Sequence, residues 1–129
     1  MQQNTDDPEA LLPLPVAAFH ILLALTEGER HGYGIMQETA RSSNGKIRLG
    51  PGTLYRSLRR LLTDGLIEEV DERPAPELDD ERRHYYRLTP FGLRVARAEA
   101  QRLAALVHMA QARKLLPQPG LLTLEGGIQ

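Results

Sequence analysis

The chain has 129 residues, of which 41% are hydrophobic and 26% charged, and its formal net charge is −1 at pH 7. This composition is typical of a single soluble globular domain. The sequence contains no cysteine, which excludes a disulfide framework and a thiolate metal site. Its start is polar, unlike a signal peptide, and no apolar run reaches the roughly 20 residues that span a bilayer, so we expect a cytoplasmic protein with no membrane partner.

The first part of the chain predicts two helices that follow a disordered arm over residues 1–12. Pro15 suits the first turn of an apolar helix that ends between Thr26 and Gly28. The second helix opens with HGYG and ends at Asn44-Gly45, a dipeptide that favours a turn. Because the first helix is apolar on nearly all sides, we expect it to contact a second subunit as well as the core.

The remaining elements complete a winged helix. KIRLG (46–50) is at most a short strand, and a third helix starts at Gly50-Pro51-Gly52 with Gly65 as its cap. LIEEVDE and RRHYYRLT predict two strands joined by an acidic tip. The sequence therefore predicts an α+β, mainly α fold: a winged helix-turn-helix domain over residues 13–89, a long C-terminal dimerisation helix over 90–116 and a disordered tail over 117–129.

Charge is sorted into blocks along the chain. Residues 41–63 hold six basic side chains and no acidic one. Residues 64–81 hold nine acidic side chains against one arginine, and residues 82–114 hold eight basic ones against one glutamate. Such blocks present local fields that the total charge conceals.

The third helix has a leucine face and an arginine face. At about 100° per residue, Leu54, Leu58, Leu61 and Leu62 share one arc, opposite Arg56, Arg59 and Arg60. This division is typical of a recognition helix, since arginine binds both guanine edges and phosphates in the major groove. The alternative is an ordinary surface helix. Such helices usually interleave glutamate with arginine, whereas this helix contains no acidic residue before Asp64.

Three segments in this order and spacing resemble a known family. HGYGIMQE, GPGTLYRSLRRLLTDGLIEE and RRHYYRLTPFG are similar to signature segments of the PadR family of bacterial transcriptional regulators, over about Val16 to Val107. The resemblance implies a winged-helix homodimer that mostly represses transcription and is released by a small-molecule effector. It also implies that Thr53, Leu54 and Tyr55 match the TLY of the family's recognition helix, and that Tyr33 lies near the DNA backbone.

The partner expected on these grounds is double-stranded DNA with an inverted-repeat operator. Arg56, where many relatives have proline, is the candidate for base readout, whereas Arg59 and Arg60 are expected on phosphates. The acidic tip (Glu77, Asp79, Asp80, Glu81) should be repelled from DNA, while the arginines at its shoulders contact the backbone. The predicted DNA-binding residues are Tyr33, Lys46, Arg48, Thr53, Tyr55, Arg56, Ser57, Arg59, Arg60, Arg73, Arg82 and Arg83.

The last helix is too long and apolar for a small winged-helix domain to cover alone, so we expect it to pair with the first helix and with a second copy. The predicted dimerisation residues are Phe19, Leu22, Leu23, Val95, Leu103, Leu106, Val107 and Ala110. The alternative is an ordinary helix of the intramolecular core.

Residue patterns for catalysis are lacking. The glycines at 32 and 34 have no Lys-Ser/Thr pair of a phosphate loop, and the four histidines lack metal-ligand spacing, so we expect no enzyme, no metal and no cofactor. Two other functions remain open: a winged helix used for protein–protein contact without sequence-specific DNA binding, and a sensor of a small apolar effector at the dimer centre. The chain has no tryptophan to stack a flat drug, which disfavours the latter.

Overall fold

The computed structural model describes residues 7–74 and 82–117, with backbone alone at 71–74 and 82–83. Within these residues, no helix is both long and apolar enough to cross a membrane. In chain order the elements are a 3₁₀ helix (Pro8–Leu11), α1 (Val16–Leu25), β1 (Arg30–His31), α2 (Gly32–Ser42), α3 (Pro51–Thr63), β2 (Ile67–Pro74), β3 (Arg82–Leu88) and α4 (Pro90–Ala112).

Three helices enclose the core of the winged-helix domain. Ile21 and Leu22 of α1, Ile35 of α2, and Leu54 and Leu58 of α3 are at most 1% exposed. Because these side chains recur at helical spacing, burying one stripe of each helix fixes its rotation about its own axis. Burial of each such side chain stabilises the fold by about 1.5–3 kcal/mol. The predicted winged-helix class, mainly helical with a small sheet, is confirmed.

The wing is an antiparallel sheet of three strands in the order β1-β3-β2. The central strand β3 places Tyr85 opposite both His31 of β1 and Val70 of β2. Strand β1 was not predicted, because its two residues are too few to show a hydrophobic period. No strand forms at residues 46–50; there the Ser43 hydroxyl accepts a hydrogen bond from the Ile47 N–H at 2.9 Å.

The segment before α1 is structured from residue 7, so the expectation of a disordered arm up to residue 12 is wrong for this part. The Asp7 carboxylate accepts a hydrogen bond from the Glu9 N–H at 3.0 Å and caps the 3₁₀ helix. Leu11 and Leu12 pack, half-buried, against the core. Burial of these two leucines therefore offsets the entropy cost of ordering the segment. Residues 1–6 lie outside the described part.

The start of α4 is locked to the winged-helix domain. Its residues up to Glu99 belong to one compact unit (Met1–Glu99), in which Val95 and Ala96 are buried. Glu99 itself is 2% exposed, and its carboxylate accepts a hydrogen bond from the Leu14 N–H at 3.2 Å. Leu14 is thereby held against α4 within this unit.

The end of α4 belongs to a second compact unit that begins at Ala100. The helix ends at Ala112, earlier than the predicted Leu116, because Lys114 adopts a left-handed φ of 64°. The Leu115 N–H then returns to the Ala110 carbonyl at 2.9 Å, which is the hydrogen-bond pattern of a helix C-cap. Of the predicted tail, residues 118–129 lie outside the described part.

Candidate nucleic-acid interface

Helix α3 separates an inward leucine face from an outward basic face. Leu54, Leu58 and Leu61 are buried, which anchors the helix along its length. Arg56 and Arg59 are exposed, and neither has an ion-pair partner among the described residues. The predicted division of this helix is thus confirmed, and it leaves two uncompensated cations on its outer side.

The third arginine of this face differs from the other two. Arg60 donates from Nε to an Asp64 carboxylate oxygen at 3.1 Å. Its side chain is 78% exposed, so the ion pair is solvent-screened and contributes little stability. The pair nevertheless places a negative charge beside one of the three arginines of this face.

Two tyrosines extend the exposed face toward the start of α2. Tyr33 is 57% and Tyr55 47% exposed. A Cβ on Gly32 would lie only 2.6 Å from the Tyr55 hydroxyl oxygen. Glycine at position 32 therefore lets the Tyr55 ring pack directly against the start of α2, and a larger residue would displace the ring. Sequence inspection did not identify this role of Gly32, since it depends on how α2 and α3 pack.

His31 fixes the first turn of α2. Its Nδ1 accepts a hydrogen bond from the Gly34 N–H at 3.0 Å, which makes it the N-cap. Its ring also meets Tyr85 of β3 edge-on, with centroids 5.3 Å apart. The same residue therefore orients the helix that carries Tyr33 and ties it to the wing.

The last turn of α2 carries a basic side chain that is already paired. Arg41 donates to both carboxylate oxygens of Glu38, at 3.0 and 2.6 Å. This hydrogen bonding lowers the pKa of the Glu38 carboxyl, with added coulombic contributions from Arg41 and Arg30. One of the six cations in the basic block is thus neutralised locally.

The other predicted contacts on the winged-helix domain are placed as follows. Lys46, Arg48 and Thr53 are exposed, whereas Ser57 is half-buried. The Arg48 guanidinium lies over Gly45, which has a left-handed φ of 79°. Arg73 pairs with Arg83 in the strand register, beside the Pro74–Arg82 pair. The side chains of Arg73, Arg82 and Arg83, and the acidic tip at 75–81, lie outside the described part.

The base of the wing carries two cross-strand pairs that the sequence did not reveal. Arg87 donates from Nε to Glu68 at 2.7 Å, and the His84 ring contacts the Glu69 carboxylate. Such pairs depend on strand register, which follows from Ile67 lying opposite Leu88. Burial raises the pKa of the neighbouring Tyr86 hydroxyl, with a smaller contribution from Glu69. Acidic residues of β2 are therefore partly compensated by β3.

The predicted dimerisation residues fall into two groups. Leu22 and Val95 are 0% exposed inside the intramolecular core, so they offer no surface to a second subunit and that expectation is corrected. The first helix is apolar on nearly all sides, and sequence alone does not show which of those sides the domain itself covers. The remaining six keep exposed or half-buried surface: Phe19, Leu23, Leu103, Leu106, Val107 and Ala110.

Comparison with known proteins gives a consistent result. A model of the transcriptional regulator PadR-like family matches residues 21–98. Transcriptional regulator Rv3488 of Mycobacterium tuberculosis is 41% identical over 92 residues, covering 71% of this chain and 77% of the relative.

Solved structures share the fold. A transcriptional regulator from Clostridium thermocellum superposes with a TM-score of 0.63 at 24% identity, covering 74% of this chain and 87% of that one. Bacillus subtilis PadR, solved in complex with operator DNA, superposes with a TM-score of 0.58 at 21% identity, covering 65% of this chain and 46% of that one. Since the family model spans more than half of the sequence, the chain belongs to the PadR-like family of transcriptional regulators.

Proposed function

We propose that the protein is a homodimeric, sequence-specific repressor that binds an inverted-repeat operator and is released by a small molecule. The observation that carries DNA binding is the outward face of α3. It presents Tyr55, Arg56 and Arg59, and the helix has no acidic residue from Pro51 to Thr63. A helix of this kind, held by buried leucines, fits the major groove, which is about 12 Å wide.

The shared fold supports this proposal. Bacillus subtilis PadR was solved with operator DNA, and the same winged-helix fold here exposes basic side chains on α3. Tyr33 and Tyr55 extend that face, and hydroxyl groups contribute to phosphate contacts in protein–DNA complexes. We assign Arg56 to base readout because it lies nearest the start of α3, and Arg59 to phosphate contact.

Exposed apolar side chains support the homodimer. On α1, Val16 and Leu23 are 65% and 45% exposed. On α4, Leu103, Leu106, Val107 and Ala110 recur at i, i+3, i+4 and i+7, which is the stripe of a helix that packs against another. A second copy of this chain would remove both sets from water, and a dimer would supply the two recognition helices that an inverted repeat requires.

The test is a titration of labelled DNA from upstream of the protein's own gene, followed by fluorescence anisotropy at several salt concentrations. The wild-type protein is expected to prefer one fragment over random DNA of equal length. Replacing Arg56 and Arg59 together by Gln should abolish that preference. Arg97→Gln is the matched control, since Arg97 is an exposed cation of α4 outside the proposed interface. Equal weak binding to all fragments by the wild type would instead favour the protein–protein module.

A further inference from the structure

A cavity lies on the side of α3 that faces the segment before α1. It has a volume of about 260 Å³ and lies wholly within the unit Met1–Glu99. This is slightly below the roughly 300–1,000 Å³ of most small-molecule sites, so its occupant must be small. Its apolar lining is Leu11, Leu14, Pro15, Ala18, Leu61 and Leu66.

The lining is entirely aliphatic on its apolar side. None of the residues that line the cavity is aromatic, so it offers no ring to stack a flat molecule. Leucine, proline and alanine side chains suit a hydrocarbon chain, whose contact with them is non-directional. These apolar residues therefore favour a ligand with an aliphatic chain.

The polar side of the cavity carries one net positive charge. Arg56, Ser57, Arg60 and Asp64 line it. Arg60 and Asp64 compensate each other through their hydrogen bond at 3.1 Å, which leaves Arg56 without an ion-pair partner among the described residues. The half-buried Ser57 hydroxyl lies one residue away and adds a donor. One uncompensated guanidinium beside a hydroxyl matches a single carboxylate.

The wall opposite α3 is held in place by its own hydrogen bonds. Leu14 donates its N–H to the buried Glu99 carboxylate, and the Asp7 cap fixes the 3₁₀ helix that carries Leu11. The cavity is thus present before any ligand binds, which reduces the ordering cost of binding.

We propose that this cavity binds a small aliphatic monocarboxylate, with its chain between the segment Leu11–Ala18 and α3 and its carboxylate on the Arg56 guanidinium. The ligand would then bind the Arg56 guanidinium, which we also assign to contact with DNA. Its binding and DNA binding are therefore mutually weakening, by the same factor in each direction. This coupling rests on the proposed function, whereas the site itself does not. The site also differs from the dimer centre, where the sequence had suggested an effector.

The test uses the full chain and octanoate, well below its micelle concentration, in isothermal titration calorimetry without DNA. Arg56→Gln should weaken octanoate binding at least about tenfold, since it removes a charge-assisted hydrogen bond. Arg59→Gln removes the same charge from the same helix but does not line the cavity, so its octanoate affinity should stay within about twofold of wild type. Hexanoate should bind about fifteenfold more weakly than octanoate, at about fourfold per methylene.

Nuclear magnetic resonance locates the ligand independently of affinity. Octanoate should shift the methyl signals of Leu11, Leu61 and Leu66. Shifts confined to Leu103, Leu106 and Val107, or equal loss of affinity in the Arg56 and Arg59 variants, would overturn the assignment of the site. Binding of octanol as tightly as octanoate would overturn the role of Arg56.

The coupling is tested by adding octanoate to the DNA titration. A several-fold loss of DNA affinity for wild type, absent in Arg56→Gln, is expected. If the protein binds no DNA at all, the proposed function fails, and the calorimetric results still decide the site. If it binds DNA equally well with octanoate bound, the coupling is wrong and the repressor function stands.

Discussion

Arg60 donates a hydrogen bond from Nε to Oδ2 of Asp64 at 3.1 Å, four residues later, at the C-cap of α3. Exposed pairs of this kind are worth about 0–1 kcal/mol, so the pair holds Arg60 only loosely. The Asp64 carboxylate, however, lies beside Arg60, which the sequence predicts on phosphate, so its negative charge would oppose a phosphate there.

Asp64→Asn should therefore tighten binding to random-sequence DNA by a few-fold at low salt, with a smaller gain at high salt, because the freed Arg60 adds a phosphate contact. The measurement is anisotropy of a labelled random duplex across a salt series. Glu27→Gln makes the same charge change at an exposed position before β1 and should leave affinity unchanged. An identical salt dependence in Asp64→Asn and wild type would place Arg60 away from DNA.

Alanine substitutions at two helical glycines are expected to change the free energy of unfolding in opposite directions. A Cβ on Gly92 would overlap the Leu66 carbonyl oxygen, whereas at Gly52 the nearest atom is 3.9 Å away. Gly92→Ala should therefore destabilise the fold by about 2 kcal/mol or more, because backbone atoms must move. Gly52→Ala should stabilise it by about 0.5–1 kcal/mol, by helix propensity. Urea unfolding of the two variants decides this, and similar midpoints would contradict the close approach of α4 to Leu66.

The faces of α3 were predictable because one helix carries its own periodicity. Leu54, Leu58 and Leu61 recur at helical spacing, and the structure buries all three. The Arg60–Asp64 pair was not predicted, although the two residues stand four apart on the helix; Arg60 was expected on phosphate instead. What the spacing did not show is that these two side chains turn toward the segment before α1, where Leu11 and Leu14 line a common cavity with them.

The features that the sequence did not predict all depend on contacts between distant segments. Leu11 and Leu12 become structured because a core is available beneath them, and that core is built from α1, α2 and α3. Val95 was read as an interface residue because the apolar stripe of α4 is continuous, yet the domain itself covers it. The role of Gly32 likewise arises only when Tyr55 packs beside it.

The cap of α2 gives a third prediction. His31 Nδ1 accepts from the Gly34 N–H, so His31→Ala should cost about 0.5–2 kcal/mol of stability, as for other lost N-caps. His31→Asn restores an acceptor at the same position and should recover most of that loss. The free energy of unfolding in urea measures both. An equal loss in the two variants would mean that the edge contact with Tyr85, rather than the cap, is the main contribution.

The proposed dimer gives a fourth prediction. Leu106 is 46% exposed on the α4 stripe, so Leu106→Glu should dissociate the dimer and abolish operator binding together, because an unpaired carboxylate would be buried in the interface. Ala105→Glu places the same charge on the opposite side of the helix and should remain dimeric. Sedimentation velocity distinguishes the two. A dimeric Leu106→Glu protein would show that the interface lies elsewhere.

The last prediction separates the two unpaired arginines of α3. Arg56 lies in the first half of the helix, where recognition helices reach base edges, so Arg56→Ala should cost about 1–3 kcal/mol on the operator and relax preference at one base pair of each half-site. Arg59 lies nearly one turn later, so Arg59→Ala should weaken operator and random DNA alike. It should also reduce the salt slope by about one per phosphate contact, or about two for a dimer. Affinities for both DNAs at several salt concentrations test this. If Arg56→Ala weakens both DNAs equally, base readout belongs instead to Thr53, Tyr55 or Ser57, which share the first half of the helix.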